Sequence, residues 1–110
     1  MTTIDYDDFD RVEMRVATIT AVEEFPRARN PSWRLTLDLG PELGERQTSV
    51  QATNYSKSEL VGMQVVAVTN FEPKNIAGFM SEVLVLGVPG EDGISLLTPS
   101  RPATSGGRVY

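Results

Sequence analysis

Residues 70–86 read Asn70-Phe-Glu-Pro-Lys-Asn-Ile-Ala-Gly-Phe-Met-Ser-Glu-Val-Leu-Val-Leu86. One polar segment here carries two amides (Asn70, Asn75), an ammonium (Lys74) and a hydroxyl–carboxylate pair (Ser81, Glu82). These groups donate and accept hydrogen bonds and can meet phosphates, which is the chemistry of recognition rather than of bond making. The apolar runs Val65 to Phe71 and Val83 to Val88 flank the segment, and its turn is built on Pro73 and Gly78. Binding residues concentrate on loops held by a rigid sheet. The same pattern also fits a plain polar connection between two core strands.

The residues that catalysis most often uses are missing. The chain has no cysteine and no histidine, so it lacks thiolate chemistry, a disulfide framework, and the commonest general base and metal ligand. A zinc site made of carboxylates alone is unusual. No carboxylate pair stands apart from ordinary surface acids, as a two-acid hydrolase would require. No phosphate loop is present. The expectation is a protein that is not an enzyme and uses no cofactor and no metal.

The net charge of −5 argues against a surface that binds phosphate everywhere. The acids are unevenly spread, with Asp5, Asp7, Asp8 and Asp10 crowding the first ten residues. Without those four, 10 basic side chains face 11 acidic ones. Arg27, Arg29 and Arg34 then form a local basic group, which is either a nucleic-acid contact with strong salt dependence or a solvated loop.

A length of 110 residues with 40% apolar content suits one folded domain and one core, here residues 1–110. No stretch is long enough to span a membrane. The start, Met1-Thr-Thr-Ile-Asp-Tyr-Asp-Asp, lacks the basic and apolar parts of a signal peptide. A cytoplasmic protein with no membrane insertion is expected.

The elements that must hold the polar segment follow from periodicity. Residues 4–10 suit a short helix with Tyr6, Phe9 and Val12 on one edge, within an N-terminal helical segment 1–11, or else a frayed acidic terminus. Residues 12–24 suit a long strand. Its apolar parity changes from Val12, Met14 and Val16 to Ala17, Ile19 and Ala21, which predicts a bulge near residue 16. Trp33, Leu35, Leu37 and Leu39 alternate with Arg34, Thr36 and Asp38 in a second, half-buried strand. A turn at Gly40–Gly44 leads to a third strand at 46–53. Ser56-Lys-Ser-Glu59 matches a capping box, and Gly62 suits a left-handed stop, so one short helix follows the third strand. Residues 63–71 and 82–88 are the fourth and fifth strands, and Ile94, Leu96 and Leu97 suggest a short sixth. A C-terminal extension, 89–110, closes the order. Three strands, one helix and two strands is the order of an all-β, five-stranded OB-fold barrel. An SH3-like barrel or a sandwich also has short strands with turn signals, but the single helix favours the OB-fold.

On that order, Asn70-Phe-x-Pro-Lys-x-Ile-x-Gly-x-x-Ser-Glu resembles the signature of the tRNA-binding OB-domain family. Three further segments resemble one branch of it, the CsaA-type export-related chaperones: Ser81-Glu-Val-Leu-Val-Leu-Gly87, Glu24-Phe-Pro-Arg-Ala-Arg29 and Phe9-x-x-Val-x-Met-Arg15. The resemblance covers roughly residues 8 to 110 and implies a homodimer joined through terminal segments. The tRNA-binding relatives usually carry two basic residues after the loop proline and Gly-Met after Ser-Glu. Here Lys74-Asn75 and Val83-Leu84 stand instead, which weakens a tRNA clamp and leaves an apolar peptide site intact.

Two functions are therefore expected to compete. The first is a chaperone that holds unfolded or pre-export polypeptides, with Phe25, Trp33, Phe71, Ile76, Phe79 and Met80 as peptide-binding candidates. Broad client range calls for adaptable apolar surface, to which a flexible methionine is suited. Trp33 and Phe71 fit the barrel core equally well. The second is tRNA binding. Arg27, Arg29, Arg34, Lys74 and Asn75 would meet phosphates, Phe25 or Phe71 would stack a base, and Asn70 and Ser81, with the neighbouring Glu82, would meet exposed edges. Ser81 and Glu82 have an alternative role as a local cap that fixes the loop backbone.

Overall fold

The alternation at 33–38 appears as a strand whose Leu35 and Leu37 are almost fully buried while Asp38 faces solvent. The structure, a computed structural model, describes residues 1–110. The elements are α1 (Tyr6–Asp10), β1 (Met14–Glu24), β2 (Trp33–Asp38), α2 (Gly40–Leu43), β3 (Glu45–Val50), α3 (Lys57–Leu60), β4 (Gln64–Val68), β5 (Lys74–Ile76), β6 (Phe79–Ser81), β7 (Leu84–Val85), β8 (Gly87–Gly90) and β9 (Gly93–Leu96). Five strands form one antiparallel sheet in the order β3-β2-β1-β4-β7, and β5–β6 and β8–β9 are separate hairpins.

This sheet curls until its two edges, β3 and β7, meet across a seam, which makes the domain an OB-fold. Ala17 and Ile19 of β1, Leu35 and Leu37 of β2, Val65 and Ala67 of β4 and Leu60 of α3 fill the barrel. Each fully buried leucine or isoleucine contributes roughly 1.5–3 kcal/mol of transfer free energy. The bulge in β1 lies at Thr20, between Ile19 (opposite Leu37) and Ala21 (opposite Thr36), rather than near residue 16. The inward side chains change there from Ala17 and Ile19 to Val22, opposite Leu35, so one long strand can serve both halves of the barrel.

The helix after β3 is capped as its sequence indicates. Ser56 Oγ accepts from Glu59 N at 3.2 Å, and Glu59 Oε1 accepts from Ser56 N at 2.9 Å. Gly62, at φ 90°, then donates to Ile19 O at 2.8 Å. Several expected strands are shorter than their apolar runs. β4 stops at Val68: Thr69 N still donates to Glu13 O at 2.8 Å, but Glu13 N is taken by the side chain of Asn70 at 3.0 Å, and the ladder goes no further. The expected strand 82–88 divides at Leu86 into β7 and β8, and β8 pairs with β9 instead of extending the barrel.

The seam is closed by one main-chain bond and a set of side chains. Glu82 N donates to Gln47 O and Gln47 N donates to Glu82 Oε1, both at 2.9 Å. Buried Thr48 donates from Oγ1 to Val83 O at 2.6 Å and meets Ser81 Oγ at 2.9 Å. Gln47 Nε2 donates to Met80 O at 3.0 Å. The C-terminal segment adds a further edge along β1, through Val16 N to Gly107 O (2.9 Å) and Val109 N to Met14 O (2.8 Å). Where it passes the turn after β2, Gly40 and Gly106 face each other, and a Cβ on either would overlap the other segment's carbonyl oxygen. No helix is long and apolar enough to cross a membrane.

Thr48→Val keeps shape but removes the seam's buried hydroxyl, leaving Val83 O without its donor. Urea unfolding should show a loss of about 1–3 kcal/mol; a loss indistinguishable from zero would mean that the seam does not depend on this bond.

Candidate functional site

Beyond Glu82 the seam widens into a cleft of about 690 Å³. Its floor is apolar, with Phe71, Ile76, Val83, Leu84, Val85 and Ile94. Phe71 is 58% exposed and Leu84 50% exposed, so neither belongs to the core. For Phe71 the structure rules out the barrel-core alternative. One wall is the loop between β1 and β2, with Ala28, Arg29, Asn30 and Ser32, and the other is the segment Phe71–Ile76.

The polar segment at 70–86 is more structured than a turn. Lys74–Ile76 and Phe79–Ser81 form a hairpin, with Ala77 (φ 51°) and Gly78 (φ 86°) at its tip. Two positive φ values give the twist a tight hairpin needs, and Gly78 takes this conformation without penalty. Asn75 Oδ1 accepts from Gly78 N at 2.9 Å and holds that tip. The strand register places Lys74, Ile76, Phe79 and Ser81 on one face, whereas Asn75 and Met80 share the other. Phe79 and Met80 therefore point to opposite sides, and only the face of Phe79 turns toward the barrel.

Phe79 packs edge-on against buried Phe25, with ring centroids 5.4 Å apart. The Arg34 guanidinium lies 5.8 Å from the Phe25 centroid and 5.9 Å from that of Phe79. Its Nε donates to Glu24 O at 2.9 Å and its Nη2 meets Glu23 Oε2 at 3.3 Å. Arg34 thus latches the hairpin to the barrel and is turned away from the free rim. Trp33 is half-buried, donates from Nε1 to Tyr55 O at 3.0 Å, and carries Lys57 Nζ 5.6 Å from its ring centroid.

Among the polar candidates, Asn70 accepts from Glu13 N at 3.0 Å and donates to Arg11 O at 2.7 Å, so its amide ties the β4 exit to the chain before β1. Ser81 and Glu82 line the cleft but hold the seam to β3, a longer-range role than a local cap. Arg27, Arg29 and Lys74 are exposed and make no ion pair, and Arg29 and Lys74 sit on the cleft rim. The cleft thus gathers Phe71, Ile76, Arg29, Lys74, Ser81 and Glu82. Phe25, Trp33, Phe79, Met80, Arg27, Arg34, Asn70 and Asn75 lie outside its lining. Sequence reasoning passed over Leu84 and Ile94; Leu84 carries a signal, since it is the one apolar side chain out of phase between inward Val83 and Val85. No group of three or more His, Cys, Asp or Glu side chains is placed to hold a metal.

This geometry has relatives. The family described as "Putative tRNA binding domain" matches residues 14–108. The methionine–tRNA ligase of Thermotoga maritima is 34% identical over 106 residues, 96% of this chain and 16% of the ligase. That of Methanococcus maripaludis is 31% identical over 110 residues, 100% of this chain and again 16% of the ligase. The chain thus spans only a small part of these ligases. Among solved structures, the CsaA chaperone protein of Picrophilus torridus superposes with a TM-score of 0.94 at 42% identity, covering 98% of this chain and 100% of that one. The chaperone CsaA of Bacillus anthracis gives 0.91 at 44% identity, covering 99% and 100%.

Arg34→Ala should release Phe79 and speed hydrogen exchange of the Phe79–Ser81 amides, with a stability loss of about 1–2 kcal/mol. Arg34→Lys should recover only part of it, because lysine lacks the forked guanidinium that stands near both rings while bonding Glu24 O and Glu23. Unchanged exchange at the hairpin in Arg34→Ala would remove the latch.

Proposed function

We propose a function on the premise that this chain belongs to the tRNA-binding domain family: it is a chaperone of the CsaA type, holding unfolded or pre-export polypeptides at an apolar surface. The observation that carries this reading is the cleft floor. Phe71 and Leu84, each at least half exposed, stand beside Val83 and Val85 where a soluble barrel would otherwise place polar side chains. The likeness to two CsaA chaperones over their full length supports it, whereas the ligases match over only 16% of theirs. The proposed role is non-catalytic and cytoplasmic.

A homodimer fits the same reading. Ile4 (73% exposed), Tyr6 (70%) and Tyr110 (102%) are large side chains without cover. A second copy packed on the terminal segments would shield them.

tRNA binding is the second reading, favoured by Arg27, Arg29 and Lys74 standing exposed and free of ion pairs, the last two on the cleft rim. Three phosphate contacts would give a log-affinity slope against log salt of roughly −2 to −3. Client holding through apolar surface has no such slope.

Suppression of client aggregation, measured beside binding of a bulk tRNA pool across a salt series, separates the two. The expected result is client suppression that persists at high salt. Phe71→Ser with Leu84→Ser should reduce it several-fold with little change in thermal stability. Met80→Ser, on the far face of the hairpin, should leave it intact. Suppression unaffected by the Phe71/Leu84 double substitution would defeat the cleft assignment, and salt-sensitive tRNA binding without any client suppression would transfer the function to RNA. Sedimentation should give twice the 12.1 kDa chain mass.

A further inference from the structure

We propose that the cleft receives its client as an added β-strand, recognised through main-chain hydrogen bonds along the free edge of β3, with an acidic side chain of the client at the Arg29–Lys74 rim. This rests on the polypeptide-holding reading above and specifies the bound form.

The argument begins with main-chain direction. In an antiparallel ladder, successive residues alternate between pointing their N–H and C=O at one neighbour and pointing them away. Leu39 N donates to Gly44 O, and the β2–β3 register runs from there through Leu37–Arg46, Leu35–Thr48 and Trp33–Val50. Arg46, Thr48 and Val50 therefore face β2, and Gln47, Ser49 and Gln51 face the seam. Gln47 is satisfied by Glu82. Ser49 N has only a long 3.4 Å contact with Ser81 Oγ, and the main chain of Gln51 meets no partner.

The opposite bank shows the same alternation. Leu86 N donates to Val66 O, so Leu84 and Leu86 face β4, while Val85 directs its N–H and C=O to the cleft. Ser49, Gln51 and Val85 all line the cleft. Exposed strand edges pair readily with another extended chain. In such pairing the main chain supplies affinity, and alternate side chains enter pockets. Here the pocket beside the free edge is the apolar floor of Phe71, Leu84 and Ile94.

Charge selects the occupant further. On the rim, Arg29 and Lys74 are unpaired, Glu82 is turned onto Gln47 N, and Glu72 is the one free acid. The four charges on the rim cancel formally, but Glu82 is held to the main chain of β3, so Arg29 and Lys74 are the cations left to meet an aspartate or glutamate carried beside the apolar residues of an extended segment. A nucleic acid would match the cations but would leave the β3 edge without complementary donors and acceptors in strand spacing.

The test uses the intact protein and a short unstructured peptide that alternates leucine with serine and carries one aspartate. Two N-methylated versions block alternate amides, one set in each register. Blocking the set that faces β3 should weaken binding about tenfold, the loss expected for two to three net hydrogen bonds, and blocking the other set should change it little. Hydrogen exchange should show the Ser49 and Gln51 amides protected by the peptide. Lys74→Glu should reverse the preference between this peptide and its aspartate-to-lysine counterpart. Peptide binding that ignores both N-methyl sets overturns the added strand but leaves the chaperone reading standing. Protection of Ser49 and Gln51 by bulk tRNA, with no peptide binding, overturns both. If those amides are protected in the free protein and lose protection on dilution, a second copy fills the edge and the proposal falls.

Discussion

The barrel depends on a short polar contact between β3 and the chain that leads into β7, which form no regular ladder. Gln47 and Thr48 on β3 meet Ser81, Glu82 and Val83 some 33 to 35 positions later. Elsewhere around the barrel, neighbouring strands share backbone pairing that any sequence can supply. At the seam, the carboxylate of Glu82 and the hydroxyl of Thr48 do what a backbone would do elsewhere. A buried hydroxyl with well-placed partners is stabilising, and one without them is costly, so this contact is specified residue by residue.

The cleft is a consequence of that contact. Because closure is complete only from Gln47 to Val83, the two edges diverge past it, and the loops at 28–32 and 71–76 wall the gap. The hairpin β5–β6 is held in place by the Arg34 latch on one side and by Ser81 on the other. Exposed Phe71 and Leu84 are thus presented by a framework fixed at both ends. The family signature thereby divides into residues whose side chains bond the framework (Asn70, Asn75, Ser81, Glu82) and residues that line the cleft without such bonds (Phe71, Lys74, Ile76).

Much of this was legible beforehand. The alternation of Trp33 to Leu39, the capping box at Ser56 and the element order indicated the OB-fold because each depends on local chemistry. Parity alone misplaces the bulge, because Val16 and Ala17 are both buried and do not show where the strand changes face; pairing with Leu35 and Leu37 decides it. The hairpin at 74–81 leaves no periodic signal, because its strands are three residues long and its tip is Ala-Gly rather than a familiar turn pair. Trp33 and Phe71 looked alike as aromatic members of apolar strands, and only the early end of β4 at Val68 separates them. For Arg34 no periodicity reveals that its guanidinium stands near the rings of Phe25 and Phe79.

The crossing of Gly40 and Gly106 sets a mechanical limit on the rest of the chain. Two backbones touch there without side chains between them, so the C-terminal segment is threaded through a fixed gauge rather than draped over a surface. The turn after β2 can neither lengthen nor take on bulk without lifting that segment from β1, and with it the ion pair of Arg108 with Asp10 that reaches α1. The glycine pair therefore behaves as a spacer that sets how far both terminal segments stand from the barrel, although it lies on neither bank of the cleft.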